Sequence, residues 1–169
     1  AQCSFVEVVK QAKKEGYTEP DSRLDLSGED VMRKILILAR ESGYQFDLED
    51  VVGNNFLPTN CQKTESEEDF YIKLAANESH FSNLYHQAAS KSCKLRYAAT
   101  FENQKLTTGL SQIGETHPFY QLEGKDNIVL FYTERYPEQP LVVKGAGAGA
   151  EVTASGIFAD VMRVTNSQQ

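Results

Sequence analysis

The sequence predicts an α+β fold, with helices packed on one face of a mostly antiparallel or mixed sheet. Three observations predict it. Apolar residues recur at helical spacing through most of residues 4–90. Segments rich in β-branched and aromatic residues follow between 94 and 144, and a last helical pattern comes after them. Helices in one block and strands in another fit an α+β domain, whereas a parallel α/β sheet needs strands and helices to alternate. A chain of 169 residues, 40% hydrophobic, suits one compact domain (residues 1–169). No internal repeat or long linker divides it.

The elements follow in order. Residues 4–15 predict an amphipathic helix, with Phe5, Val8, Val9 and Ala12 on one stripe and Gly16 closing it. A charged loop leads to a second helix over 29–42, with Val31, Ile35, Leu36, Leu38 and Ala39 inward and Gly43 as its stop. Residues 44–63 form a connector with a short turn or strand, broken at Leu57-Pro58. Two helices follow over 66–76 and 78–90. The first opens on Glu65, Glu67, Glu68 and Asp69, an acidic run that reads as a solvated helix end suited to the macrodipole. Residues 94–101 and 105–113 predict a hairpin turning at Asn103-Gln104, and 127–134 and 141–144 predict two more strands. Residues 153–164 predict a helix with Ile157, Phe158, Val161 and Met162 on its inner side.

Composition excludes several function classes. A net charge of −7 offers no basic face for nucleic acid. No run is long and apolar enough for a bilayer-spanning helix, and no signal-peptide pattern opens the chain. Cys3, Cys61 and Cys93 are odd in number and lack CxxC spacing, which argues against a disulfide framework or structural zinc and for a reducing, cytoplasmic setting. His80, His86 and His117 form no metal-ligand pair, so no metal is expected.

Residues 16–34 concentrate the candidate chemistry. Glu19, Asp21, Arg23, Asp25, Glu29, Asp30, Arg33 and Lys34 are separated by the turn formers Gly16, Pro20, Ser27 and Gly28. Such a loop running into a helix can gather carboxylates and an amine around a small polar ligand. Asp30 and Lys34, four apart, share a helix face. Bland readings exist for each: a surface ion pair for Lys34, a capping box formed by Ser27 and Asp30, and an ordinary turn residue in Glu19. A second cluster, Gly145, Gly147 and Gly149 alternating with alanine between a strand and a helix, forms a turn where backbone can approach a ligand. Its spacing departs from the dinucleotide fingerprint, and no βαβ unit surrounds it.

The run 16–34, from Gly-Tyr-Thr-Glu-Pro-Asp to Asp-Val-Met-Arg-Lys, resembles the homoserine dehydrogenase signature. So do the block 117–129, His-Pro-Phe-Tyr through Asp-Asn-Ile-Val, and the block 140–160, Pro-Leu-Val-Val-Lys-Gly-Ala-Gly-Ala-Gly-Ala through Phe-Ala-Asp. The resemblance implies the substrate-binding and catalytic domain of an NAD(P)-dependent oxidoreductase that interconverts L-homoserine and L-aspartate 4-semialdehyde. Nothing in the chain resembles the family's Rossmann domain, so NADP or NAD is expected to be held mainly elsewhere. The closing helix is expected to pack towards that missing domain.

The resemblance places the family's catalytic lysine on Lys34 and a residue that orients it on Asp25. It places substrate contacts on Glu19 and Asp30, and backbone approaches to the cofactor on Gly16 and Gly149, with Gly145 and Gly147 in the same turn. Ser22 stands where the signature usually has proline, which loosens the loop slightly, and Leu24 where a second aspartate is frequent. A homodimer is implied, as is a parent that is either a bifunctional enzyme with an upstream aspartokinase, the favoured reading, or a short monofunctional enzyme. The rival reading is an amino-acid-binding regulatory or dimerisation module without turnover of its own.

Overall fold

The computed structural model describes residues 3–124, 126–147 and 150–166. Contacts along the chain gather into two compact units, Ala1–Tyr120 and Gln121–Gln169.

In the first unit, α1 (Phe5–Lys14) starts on a capping box. Ser4 Oγ accepts from the Glu7 N–H, and Glu7 Oε2 accepts from the Ser4 N–H at 2.9 Å. Its end is a Schellman turn: Tyr17 donates to Ala12 O and Gly16 to Lys13 O, both at 3.0 Å, with Gly16 at φ +76°. Then come α2 (Ser22–Ser27), α3 (Glu29–Glu41), a 3₁₀ turn at Leu48–Asp50, β1 (Val51–Asn54), α4 (Thr59–Gln62), α5 (Glu67–Ala76) and α6 (Glu78–Ala89). The strands β2 (Lys94–Glu102) and β3 (Lys105–Ile113) complete the unit with a 3₁₀ turn at Pro118–Gln121. Asn103 and Gln104, at φ 49° and 57°, make the two-residue hairpin turn between these strands.

The sheet runs β1-β3-β2, with β1 parallel and β2 antiparallel to β3, so it is mixed. The β1 strand lies in the expected connector, and four residues with a glycine carry too little alternation to announce it. Leu106 on β3, Val51 on β1 and Leu36 and Ala39 on α3 form one core cluster, which places α3 on this face of the sheet. The intervening positions point away, and Val52 is 67% exposed. A second cluster, Val9, Leu57, Cys61, Phe70, Leu74 and Phe81, joins α1, α5 and α6. Phe5 stacks on Phe81 with ring centres 4.2 Å apart. On α1 it is Val6, not Val8, that packs inward beside Val9, and Val8 is exposed.

The second unit holds β4 (Asp126–Thr133) antiparallel to β5 (Tyr136–Ala146), followed by α7 (Ala150–Asn166). β5 is far longer than the four residues expected. Pro137 and Pro140 hid its start, but they sit where the register is irregular, between the Thr133–Tyr136 and Phe131–Leu141 pairs, and a two-stranded ribbon tolerates missing donors there. No residue of α7 is buried. Ile157, Phe158, Val161 and Met162, expected on an inner side, are exposed. Periodicity identified an apolar stripe, but it could not say that anything covers it.

Candidate functional site

The charged loop folds further than its turn residues suggested, because six of its residues form α2. Asp21 caps that helix, its Oδ1 accepting from the Arg23 N–H at 3.0 Å, and the Arg23 guanidinium returns to the same carboxylate at 2.6–3.0 Å. Arg23 holds the Asp21 carboxyl below the usual carboxylate range. The other arm of Arg23 donates to Thr64 O at 3.1 Å. Asp25, one turn along, reaches back: its Oδ2 accepts from the backbone N–H of Glu19 at 2.9 Å. Glu19 is exposed, and its side chain stands on a backbone that Asp25 holds.

Gly28 joins α2 to α3. It ends the first helix and starts the second at φ +80°, a left-handed conformation that glycine adopts without penalty. It is buried, and a Cβ there would lie 2.6 Å from Cζ of Tyr97. The capping box expected from Ser27 and Asp30 does not form. Ser27 Oγ instead donates to Leu24 O at 2.7 Å and accepts from the Glu29 N–H at 3.2 Å. Asp30 is left to pair with Lys34, Oδ2 to Nζ at 2.7 Å, one turn along α3. Glu29 and Arg33 make a parallel pair at 2.5 Å.

The expected residues thus gather as two pairs, Glu19–Asp25, which ties the loop to α2, and Asp30–Lys34 on α3, with the two helices packed against each other around Gly28. The partner seen for Asp25 is the Glu19 backbone, and that for Lys34 is Asp30. An exposed carboxylate–ammonium pair can exchange its partner for a ligand at little cost, since such pairs contribute only about 0–1 kcal/mol. A Cβ on Gly16 would meet nothing within 4 Å among the described residues, which leaves room beside its backbone. A cleft of about 240 Å³ takes in Arg23 and Ser27 together with Asn55, Gln62 and Thr64. It does not include Glu19, Asp30 or Lys34, so the candidate chemistry sits on an open surface.

The glycine cluster is less of a turn than expected. Gly145 lies within β5, paired with Asn127, and the Asn127 side chain packs where a Cβ on Gly147 would stand, 2.7 Å from its Cγ. Gly149 lies outside the described residues. Among the described residues, no three His, Cys, Asp or Glu side chains gather as a metal would require, and no helix is long and apolar enough to cross a membrane. All three cysteines are free.

Sequence reading missed the supports of this loop. Glu67 belongs to the acidic run assigned to solvent, yet its Oε1 accepts from the Ser22 N–H at 3.0 Å and from the Tyr71 hydroxyl at 2.9 Å, and its Oε2 pairs with Lys13. Tyr71 gives its one proton to Glu67, so Ser22 Oγ is the donor in the 3.0 Å contact with Tyr71. Ser22 is fully buried. Serine in the usual proline position therefore anchors this loop and does not loosen it. The i,i+4 spacing of Glu67 and Tyr71 was the available signal, but Ser22 lies 45 residues away from Glu67 in sequence.

The family model for homoserine dehydrogenase matches residues 1–162. The chain is 48% identical, over 163 residues, to the chloroplastic bifunctional aspartokinase/homoserine dehydrogenase 1 of Arabidopsis thaliana, covering 95% of this chain and 18% of that protein. It is 37% identical over 165 residues to the homoserine dehydrogenase of Schizosaccharomyces pombe, covering 96% of this chain and 44% of that protein. Among solved structures, a putative homoserine dehydrogenase from Archaeoglobus fulgidus superposes with a TM-score of 0.68 at 26% identity, over 96% of this chain and 43% of that one. A Candida auris protein of unknown function superposes with a TM-score of 0.88 at 37% identity, over 98% of this chain and 47% of that one. The chain therefore spans less than half the length of each of these proteins.

Proposed function

Because the chain belongs to the homoserine dehydrogenase family, we propose that it is the substrate-binding and catalytic part of an enzyme interconverting L-homoserine and L-aspartate 4-semialdehyde, in the biosynthesis of threonine and methionine. The observation that carries this reading is the Asp30–Lys34 pair at 2.7 Å, one short helix away from a Glu19 whose backbone Asp25 fixes.

In this reading Glu19 and Asp30 meet the substrate ammonium, for which two carboxylates are the natural partners. Lys34, released from Asp30 as the substrate amine takes its place, reaches the oxygen that becomes alkoxide or hydroxyl. As an ammonium it donates a proton during reduction; as a neutral amine it accepts one during oxidation. Proton transfer from a positioned group contributes about 10²–10⁴-fold. Asp25 serves by holding the Glu19 backbone, which keeps a side chain on an exposed turn in one place. Bound NAD or NADP supplies the hydride chemistry. The open space at Gly16 fits a cofactor edge there, while the rest of the cofactor site belongs to a Rossmann domain outside this chain. We assign cofactor approaches to Gly145, Gly147 and Gly149 on the resemblance of their block alone. The parent is proposed to be a homodimer in which residues 1–169 act as one functional domain.

The test is homoserine-dependent NADP⁺ reduction by the full-length parent, with and without Lys34→Ala. Activity that collapses in the variant supports the reading. An inactive unmutated parent overturns it, and threonine or homoserine binding without turnover would then identify a regulatory module.

A further inference from the structure

We propose that Glu67 is a positioning residue for the substrate loop, clamping both feet of the segment 13–22 that carries Glu19. This rests on the assignment of Glu19 as a substrate contact. One foot is Lys13 near the end of α1, whose ammonium pairs with Glu67 Oε2. The other is Ser22 at the start of α2, whose N–H donates to Glu67 Oε1 at 3.0 Å. Gly16, Glu19 and Pro20 lie between them. One carboxylate at the head of α5 thus closes a turn that has no regular structure of its own between the two helices.

Three further features fit a clamp better than an incidental surface pair. Ser22 is completely buried, and both its N–H and its hydroxyl are used, the latter on Tyr71, which itself donates to Glu67. Within the clamped segment, the Glu19 N–H is taken by Asp25 at 2.9 Å, so the turn is fixed at its feet and near its middle. The Lys13 ammonium and the Ser22 N–H also hold the Glu67 carboxyl down at about 2, so it remains a charged acceptor throughout the neutral range. A proline at position 22 would have no N–H to donate to Glu67.

The consequence is specific. Losing the clamp frees Glu19 without touching Lys34, while Gly16 stays tied to the end of α1 by its own N–H on Lys13 O at 3.0 Å, so the effect falls on substrate binding more than on the cofactor. The experiment compares full-length parent enzymes carrying Glu67→Ala, Glu67→Gln and Ser22→Pro, measuring KM for homoserine, KM for NADP⁺, kcat, and amide hydrogen exchange at Glu19. A lost charge-assisted hydrogen bond predicts a rise of about tenfold in homoserine KM for Glu67→Ala, with NADP⁺ KM within about twofold. Glu67→Gln, which keeps an oxygen acceptor for the Ser22 N–H but not the charge that holds Lys13, recovers part of that loss. Ser22→Pro suits the first position of a helix and removes the donor, so it reproduces the rise without disturbing the α2 start. Unchanged homoserine KM in Glu67→Ala and Ser22→Pro overturns the clamp, as does an equal rise in both KM values. If Glu67→Ala fails to fold, Ser22→Pro decides by the same criterion. If the unmutated parent does not turn over homoserine, the functional reading fails and exchange at Glu19 decides the clamp: faster exchange in the variants supports it, and unchanged exchange overturns it.

Discussion

Lys34 Nζ lies 2.7 Å from Asp30 Oδ2, one turn apart on α3, with both side chains more than half exposed. The role proposed for Lys34 therefore predicts that catalysis and stability separate at this pair. An exposed i,i+4 ion pair stabilises a helix by about 0.3–0.5 kcal/mol. A proton-transfer group contributes about 10²–10⁴-fold in rate. Lys34→Ala is expected to leave the urea midpoint nearly unchanged while homoserine oxidation falls by about 10²-fold or more. A rate that survives the substitution removes Lys34 from the chemistry.

Asp25 offers a cleaner split between its shape and its charge. Its Oδ2 accepts the Glu19 N–H at 2.9 Å, and asparagine can present an oxygen in the same place. Asp25→Asn is therefore expected to keep homoserine KM close to the unmutated value. Asp25→Ala should raise it by about tenfold, the cost of a hydrogen bond worth about 1.5 kcal/mol. Equal damage in both variants would mean that the Asp25 charge, not its hold on Glu19, is what matters.

Two glycines in the same conformation test the packing between α2, α3 and the sheet. Gly16 and Gly28 stand at φ +76° and +80°, but a Cβ on Gly16 meets open space whereas one on Gly28 lies 2.6 Å from Cζ of Tyr97. Alanine at Gly16 should cost about 1–2 kcal/mol, the left-handed penalty alone. Alanine at Gly28 carries the same penalty and must also displace a half-buried tyrosine from the sheet, so its cost should exceed the first by about 1–3 kcal/mol. Urea unfolding of the two variants gives the comparison. Equal costs would show that Tyr97 yields freely.

Local signals located most of this fold. Ser4 and Gly16 bracket α1, Gly43 follows α3, and Asn103-Gln104 turns β2 into β3, because caps and turns are set by residues a few positions apart. The Asp30–Lys34 ion pair was legible for the same reason, since the two residues are four apart on one helix, whereas the roles proposed for them came from the resemblance. Features that depend on distant partners were not legible. Glu67 looked like any acidic residue at a helix start until Ser22 and Lys13 came to it from 45 and 54 residues away. Similarly, β1 is a strand because β3 pairs with it across more than fifty residues, not because Val51-Val52-Gly53-Asn54 insists on it. The α7 stripe is a different case: it is exposed here, because an apolar stripe states a preference for burial without naming what provides it.

The charge on Glu67 also predicts how stability responds to acid. Its carboxyl is held at about 2 in the folded chain, below the 4.5 of an unperturbed glutamate, first by Lys13 and then by the Ser22 N–H. The unfolded chain therefore takes up this proton before the folded one as pH falls. The stabilisation is complete above about 4.5 and is lost progressively towards 2. Lys13, raised by the same pair, has the opposite sense: its contribution is complete at neutral pH and fades only as pH climbs past its unperturbed 10.5. Asp21, Asp69 and Glu7 are lowered too, so the whole chain should weaken in acid, and only a difference isolates Glu67. Urea midpoints of the unmutated chain and Glu67→Gln should differ most near pH 7 and converge as the pH approaches 2. A gap that stays constant across that range would mean that Glu67 contributes through its shape and hydrogen bonds, with its negative charge adding nothing to the hold on Lys13 and Ser22.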